Sequence, residues 1–395
     1  MEMKMQPSIR HMRMFVTLVQ SHSVTRTARQ CNVSQPAVTQ AMNKMEQSAG
    51  QELFSRQSQG MVPTPAGTVL AQRTERALSY LDAAMADMSR VLRQQATRPQ
   101  LAALVAVTET GNFTLAARRL GLAQPTVHRS ITMLEQVAGV QLFERTSHGL
   151  IATRAAQRLA QAARLAFAEL RQAESDLAAL SGRKIGRIVV GVLRMSRFSL
   201  LPRTTLRFRA QNPDTPVEVV EGHYDDLLRE LGRGDLDMVV GVLDEGQYDE
   251  DTVQAHLMDD TLAIVAHPDH PLAEKEQITR DDLLKHPWVI SQKRSSLRSA
   301  LEALLGEEVL EGAIVSPSMV LLTEVLGDSQ HLGVMPRAMA LGERDMGNMV
   351  ILPFEASGAT WRVGMTTRIG WEPTVVQRQF MDILQEEAET LSRVQ

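Results

Sequence analysis

A single cysteine, Cys31, excludes any disulfide within the chain and suits a reducing cytosol. No apolar run reaches the roughly 18 residues a membrane span needs. The N-terminus has no apolar core followed by a small-residue cleavage site, so the expected location is cytoplasmic, with no membrane partner. A glycine loop able to cradle phosphate is also missing: GRGDLDMVVG, at 232–241, has the spacing of neither nucleotide fingerprint. His267, Asp269 and His270 lie close together but flank Pro268 and Pro271, and no cysteine or second histidine pair completes a metal site. Glu307-Glu308 and Glu386-Glu387 read as solvated helix faces. No catalytic residue, no metal and no cofactor are therefore expected.

What is present is a globular composition, 44% hydrophobic and 22% charged, over 395 residues, enough for about two to four domains. The formal net charge of −4 conceals a division. Residues 1–183 hold 21 Lys and Arg against 12 Asp and Glu, whereas residues 184–395 hold 21 against 34. A basic first part suggests a polyanionic partner for that part alone.

The first part is also a repeat. Residues 9–66 align without a gap on residues 98–155, at a constant offset of 89, with 18 of 58 pairs identical. The identities gather at Gln35-Pro36-x-Val38 against Gln124-Pro125-x-Val127, at Glu46-Gln47-x-Ala49-Gly50 against Glu135-Gln136-x-Ala138-Gly139, and at Leu53-Phe54-x-Arg56 against Leu142-Phe143-x-Arg145.

In copy one, Met12, Phe15, Val16 and Val19 fall at helical spacing. Ser23 and Thr25 open a second helix, which carries Ala28 and, on its packing face, Cys31. Asn32 marks the turn, where copy two has Gly121; both tolerate the left-handed conformation. Ser34 reads as an N-cap with Pro36 in the first turn of a third helix. That helix would bury Val38, Met42 and Met45 and present Gln35, Thr39, Gln40 and Asn43. A tight turn between two helices, the second offering polar side chains from its N-terminal end, is the make-up of a helix-turn-helix. Glutamine reaches adenine and arginine reaches guanine bidentately, each pair discriminating by about 1–3 kcal/mol. Leu53 to Thr64 reads as a hairpin wing, from which Arg56 could enter a minor groove or touch phosphate.

The stretches SVTRTARQCNVSQPAVTQAMNKMEQSAGQELFSR and NFTLAARRLGLAQPTVHRSITMLEQVAGVQLFERT each resemble the winged helix-turn-helix of LysR-type transcriptional regulators. The resemblance implies DNA contact from Gln35, Pro36, Thr39, Gln40 and Arg56, and from Gln124, Pro125, His128, Arg129 and Arg145. Ordinary members of that family have one such domain. Copy two also has Ala123 in place of the capping serine, and His128-Arg129 in place of Thr39-Gln40, implying a different preferred sequence.

Each copy runs into a segment free of glycine and proline. Leu159, Ala163, Ala166, Leu170, Ala173, Leu177 and Leu180 alternate by four and three, as do Ala77, Leu81, Ala84, Met88 and Val91 in the first segment, which ends before Pro99. The periodicity reads as a seam for pairing two helices and also fits a helix packed on its own domain. In the relatives this linker makes the dimer, so a homodimer or homotetramer on a pseudo-palindromic operator is expected.

From Ile185 the pattern becomes β/α: strands at Ile188–Val192, Val217–Val220 and Met238–Val242, and helices at Ser199–Ala210 and Asp225–Leu231. Such alternation predicts a parallel sheet with helices on both faces and a ligand beyond the strands' carboxyl ends. LLP at 200–202, GRGDLDMVVG and HPDHPL at 267–272 resemble the effector domain of the same family, and VLLTEVLGDSQHLGVMPRAMA looks most like the subgroup regulating a sugar-binding protein and aromatic-acid catabolism. The expected fold is two all-α-dominated winged helix-turn-helix domains with long linker helices, then an α/β two-lobed domain of the type 2 periplasmic-binding-protein kind. The boundaries expected are 1–67 and 98–155 for the two readers, 68–97 and 156–183 for the linker helices, and 184–395 for the effector domain. Lobe one would take about 184–262 and 350–395, lobe two about 263–349. The resemblance places an effector against Arg194, Met195, Ser196, Ser291, Arg294, Ser295, Ser296, Ser318 and Thr323, where helix N-termini and cations favour a carboxylate or other anion. The partners implied are double-stranded promoter DNA, a small-molecule effector (an aromatic or other organic acid, or a sugar), another copy of the chain and RNA polymerase. Two alternatives stay open: only one copy reads DNA while the other serves assembly, or the chain is a cytosolic solute- or partner-binding protein that does not touch DNA.

Overall fold

The computed structural model describes residues 7–57, 60–89, 91–147, 149–193, 200–243, 250–292, 296–327, 330–354, 356 and 359–394. They form two compact units, mainly residues 1–187 and 188–395. Among the described residues no helix is long and apolar enough to cross a membrane.

In the N-terminal unit one succession of elements occurs twice. The first run is α1 (Ile9–Ser21), α2 (Val24–Gln30), α3 (Gln35–Ala49), the hairpin β1 (Phe54–Gln57) and β2 (Gly60–Pro63), α4 (Pro65–Ala84) and a short α5 (Leu92–Gln95). The second is α6 (Arg98–Thr110), α7 (Phe113–Leu120), α8 (Gln124–Ala138), the hairpin β3 (Phe143–Thr146) and β4 (Gly149–Ala152), and α9 (Arg154–Leu180). Side-chain caps set the helix starts: Ser8, Ser23, Ser34, Thr64, Thr97, Asn112 and Thr153 each accept a hydrogen bond from a first-turn amide. The α2–α3 turn passes through Asn32 at φ 51°, and the α7–α8 turn through Gly121 at φ 64°, the left-handed turn expected of both. Cys31 is not inside α2 but caps its C-terminus, half-buried, its Sγ 3.7 Å from the Thr17 hydroxyl.

One continuous apolar core runs through both copies and their long helices, from Ile9 to Leu177. α4 and α9 pack on each other antiparallel. Arg73 of α4 donates to Glu169 (3.1 Å), Gln172 (2.9 Å) and Asp176 (2.8 Å) of α9, while Asp87, just past α4, accepts from Arg158 (2.9 Å) near the start of α9. The seam of Leu159, Ala163, Ala166, Leu170, Ala173 and Leu177 is thus buried inside one chain; Leu180, read into the same seam, is exposed. α4 stops at Ala84 and does not continue toward Pro99. Met88 lies beyond it and Val91 is exposed, because the chain turns so that Leu92 is buried, and Arg13 holds both the Asp82 carboxylate and the Arg93 carbonyl (3.0 Å).

The C-terminal unit contains β5 (Ile188–Val192), α10 (Leu200–Gln211), β6 (Val217–Glu221), α11 (Tyr224–Arg233), β7 (Met238–Val242), β8 (Thr252–Ala266), α12 (Arg280–Leu283), β9 (Trp288–Ile290), α13 (Ser296–Leu305), β10 (Ile314–Val315), α14 (Met319–Leu326), β11 (Leu332–Pro336), α15 (Arg337–Asp345), β12 (Val350–Ile351), β13 (Thr360–Arg368) and α16 (Val375–Val394). Strand order runs β10-β9-β11-β8-β13-β7-β5-β6. The sheet is mixed, not purely parallel: β5 pairs parallel with β6 and β7, but β13 runs antiparallel to β7 and β8. Two lobes share the long β8, whose Thr252–Thr261 half pairs with β13 and whose Leu262–Ala266 half pairs with β11. Buried Asp260 marks the change of partner, accepting from the amides of Thr261 (2.9 Å) and Ala338 (3.1 Å) at the start of α15. β12 still pairs with the second half of β8, so the return to lobe one falls after Ile351.

Candidate nucleic-acid interface

α3 buries Val38, Ala41, Met42 and Met45, which fixes the opposite face outward. Gln35, Pro36, Thr39, Gln40 and Asn43 are all exposed, along with Lys44. Ser34 accepts from the Ala37 amide (3.4 Å), and the Thr39 hydroxyl donates back to the Gln35 carbonyl (3.3 Å). α8 repeats the arrangement with Val127, Ile131, Leu134 and Ala138 buried and Gln124, Pro125, His128 and Arg129 exposed. Its N-cap, Ala123, supplies no side-chain bond, and the His128 ring stands 5.1 Å from that of Phe113 at the head of α7.

Arg56 and Arg145 are exposed on the first strands of the two hairpins, opposite Met61 and Leu150. Each hairpin is tied to its helix by a residue whose role the sequence reading missed. Glu46 Oε1 accepts from the amides of Leu53 (3.0 Å) and Phe54 (3.3 Å); Glu135 Oε1 accepts from Leu142 (2.8 Å) and Phe143 (3.3 Å). A carboxylate taking two backbone donors fixes where the wing leaves the helix, and hence where the arginine stands. The signal was the glutamate's recurrence in both copies, seven residues before the Leu-Phe pair.

The wings are not anchored alike. The Met61 amide donates to the His22 carbonyl (3.1 Å), and a side chain at Gly60, φ 117°, would sit 2.3 Å from that oxygen. At Gly149, φ 118°, nothing lies within 4 Å. Copy two also exposes Leu115, Leu122, Met133, Val140 and Ile151, where copy one has Arg26, Val33, Lys44, Gln51 and Val62. Near the exposed face of α3, burial and the nearby cations Lys44 and Arg10 push the His11 pKa down.

In the C-terminal unit, β9 and β10 are adjacent and parallel, and Ser291 and Ser318 lie beyond their carboxyl ends. Ser318 caps α14, accepting from the Leu321 amide (3.2 Å). Thr323 is not at that N-terminus: it lies in the second turn of α14, its hydroxyl donating to the Met319 carbonyl (3.1 Å). Ser296 opens α13. Arg194, Met195, Ser196, Arg294 and Ser295 lie outside the described residues. His267 and His270 serve a turn, their Nδ1 atoms accepting from the Asp269 (3.2 Å) and Leu272 (3.1 Å) amides.

A helix-turn-helix followed by a two-lobed α/β domain defines a DNA-binding regulator with a ligand-binding part. Residues 181–389 match the family described as the LysR substrate binding domain, and residues 9–68 and 99–177 match the bacterial regulatory helix-turn-helix protein, lysR family. The chain belongs to the LysR family and is a transcriptional regulator. It is 30% identical over 372 residues to the HTH-type transcriptional regulator GalR of Pseudomonas putida, covering 92% of this chain and 93% of that protein. To PcaQ of Agrobacterium fabrum it is 27% identical over 291 residues, 73% of this chain and 94% of that one. Full-length OxyR from Pseudomonas aeruginosa, as a single-residue variant, shares the fold at TM-score 0.52 and 20% identity, covering 76% of this chain and 97% of its own. ArgP from Mycobacterium tuberculosis does so at TM-score 0.51 and 22% identity, covering 73% and 96%.

Proposed function

We propose that this regulator carries two winged helix-turn-helix domains and reads double-stranded promoter DNA with both. α3 and α8 would enter the major groove through Gln35, Pro36, Thr39 and Gln40, and through Gln124, Pro125, His128 and Arg129, with Arg56 and Arg145 on the wings at minor groove or phosphate. The observation that carries the reading is the shared construction: an exposed Gln-Pro helix start over a buried apolar face, its wing held by the same glutamate in each copy. The Pseudomonas putida relative supports it, because the match to it spans nearly all of both chains, whereas PcaQ is matched almost entirely yet spans only 73% of this chain. The C-terminal domain would bind an organic acid, aromatic or other, or a sugar, beyond the strand ends near Ser291 and Ser318, and ligand binding would shift the population of DNA-bound arrangements. RNA polymerase is the partner through which such a shift would act.

Gel-shift titrations on the upstream region of its own gene, at low salt, test this. Gln35→Ala and Gln124→Ala should each weaken binding by about 1–3 kcal/mol, the worth of one bidentate base contact. A second reading, in which copy two serves assembly instead, draws on its uncapped α8 and its exposed Leu115, Leu122, Met133 and Ile151. It requires Gln124→Ala to leave affinity unchanged.

A further inference from the structure

The antiparallel pairing of α4 with α9 inside one chain has a consequence for what that chain can bind. The two helices occupy equivalent places in the repeat, 89 positions apart. The pairings Arg73 with Gln172 and Asp87 with Arg158 keep a single antiparallel register, and in it Leu78 stands opposite Phe167, its own counterpart in the other copy. Antiparallel pairing about such a point is a local two-fold axis. Bracing contacts of similar placement, made by different atoms, lie on the two sides. Gln51, after α3, donates to the Leu177 carbonyl near the end of α9 (2.9 Å), and Ser89, after α4, donates to the Ala138 carbonyl at the end of α8 (3.3 Å). The foot of each exposed helix is tied to the tail of the other copy's long helix.

Buried charge selects this pairing over the alternatives. Arg73 and Glu169 are nearly inaccessible, with side chains 5% and 4% exposed, and Asp176 is 15% exposed. Were α4 to pair with an α4 of another chain, Arg73 would meet the counterparts of Glu169, Gln172 and Asp176, which are Tyr80, Ala83 and Asp87. Ala83 offers no acceptor and Tyr80 no negative charge, so one of the two carboxylates and the amide would be gone. Were α9 to pair with α9, Glu169 would face the counterparts of Arg73 and Arg76, which are Ala162 and Leu165, burying a carboxylate with no cation. A buried charge stripped of its partner is strongly destabilising, so both like-with-like pairings are penalised.

We infer that one chain is a covalent two-fold reader: α4 and α9 close on each other within the chain, so that a single molecule presents α3 and α8 in inverted orientation to one operator made of two unlike half-sites. The inference rests on both copies reading DNA, and it replaces the symmetric palindrome expected of two identical subunits with a site whose halves differ, as Thr39-Gln40 differs from His128-Arg129.

Two experiments on the full-length chain test it. In the first, sites are selected from random duplex DNA and footprinted with hydroxyl radicals. Two dissimilar inverted half-sites are expected, with Gln35→Ala erasing protection of one half, Gln124→Ala erasing the other, and affinity falling about tenfold in each case. Identical half-sites, both weakened by the same substitution, would overturn the inference. No protection at all by the wild type would instead overturn the DNA reading beneath it. The second experiment reads the helix pairing without DNA. Arg73→Glu and Glu169→Arg should each lower the melting temperature of the N-terminal unit, and the two together in one chain should recover part of the loss, the rest being held back by like charges against Asp176 and Arg76. Co-expressing the two single variants should not. Recovery in that mixture would mean that α4 meets α9 of another molecule, and would refute closure within the chain. Should the reversals fail to fold, Arg73→Met and Glu169→Gln put the same comparison at lower cost.

Discussion

Ser34 and Ala123 stand at the same place in the two copies, and one hydrogen bond separates them. Ser34 satisfies an orphan amide at the start of α3; α8 begins without that help. Ser34→Ala should therefore cost about 0.5–2 kcal/mol of local stability, and Ala123→Ser should gain a similar amount, read as amide exchange in the first turns of α3 and α8. Equal exchange in the Ala123→Ser variant and the wild type would show that something else already caps α8. At this scale the sequence was readable wherever one residue acts on its own backbone: Ser34 as cap, Asn32 and Gly121 as left-handed turns, Pro36 in the first helical turn. It was not readable where a side chain reaches across the fold. Nothing local announces that Glu46 will hold two amides of the wing, or that the hydroxyl of Thr323 will be spent inside α14. The residues expected at an effector site are the hardest to read, since a cleft is a meeting of loops far apart in the chain; among those of them that are described, Ser291 and Ser318 stand beyond neighbouring strand ends.

At the scale of elements, the periodicity of α9 predicted an apolar seam but could not name what covers it, because a 3.6-residue repeat is the same for a partner in cis or in trans. The end of α4 was hidden for a related reason. No glycine or proline stops the helix at Ala84; a tertiary contact, Arg13 to Asp82 and the Arg93 carbonyl, bends the chain instead. The α4–α9 seam also makes a prediction about pH. Burial pushes the Asp176 carboxyl up, and the nearby Arg73, which pulls it down, does not fully offset that cost. A carboxyl raised in the folded state binds more protons folded than unfolded. Its contribution to stability is therefore fully present below its ordinary value near 4 and is lost as pH rises through the folded value. At neutral pH the charge of Asp176 is a net cost, one that secures which helices pair. Asp176→Asn should leave the melting temperature of the N-terminal unit at pH 7 unchanged or raise it, and should flatten its decline between acid and neutral pH. Arg73→Ala, which takes from Glu169 the nearer of its two arginines and leaves Arg76 at 3.6 Å, should lose up to about 3–5 kcal/mol, the upper bound being the usual result of breaking a buried pair from one side. A large loss in Asp176→Asn would show that attraction, not desolvation, governs the site.

For the whole molecule the division of charge matters more than its sum. Residues 1–183 carry 21 basic against 12 acidic residues, and residues 184–395 carry 21 against 34, so attraction to a polyanion belongs to the first unit alone. That asymmetry and the repeat were legible at once, since each is a property of the whole string and needs no knowledge of contacts. Their joint consequence is a salt dependence. Each phosphate neutralised by a lysine or arginine releases a counterion and adds about 0.9 to the magnitude of the slope of log affinity against log salt. Arg56 and Arg145 are exposed on equivalent strands, each held there by a glutamate bridge from the preceding helix, α3 or α8. If both wings lie against the duplex, Arg56→Gln and Arg145→Gln should each lower that slope by about 1, weakening binding almost uniformly across sequences, and the double variant should lower it by about 2. The wing of copy two, which lacks the backbone contact that fixes Gly60 against His22, is the sterner test. An Arg145→Gln protein with the wild-type slope would mean that this wing stands off the DNA. Gln124 would then have to read its bases from a domain docked by its helix alone.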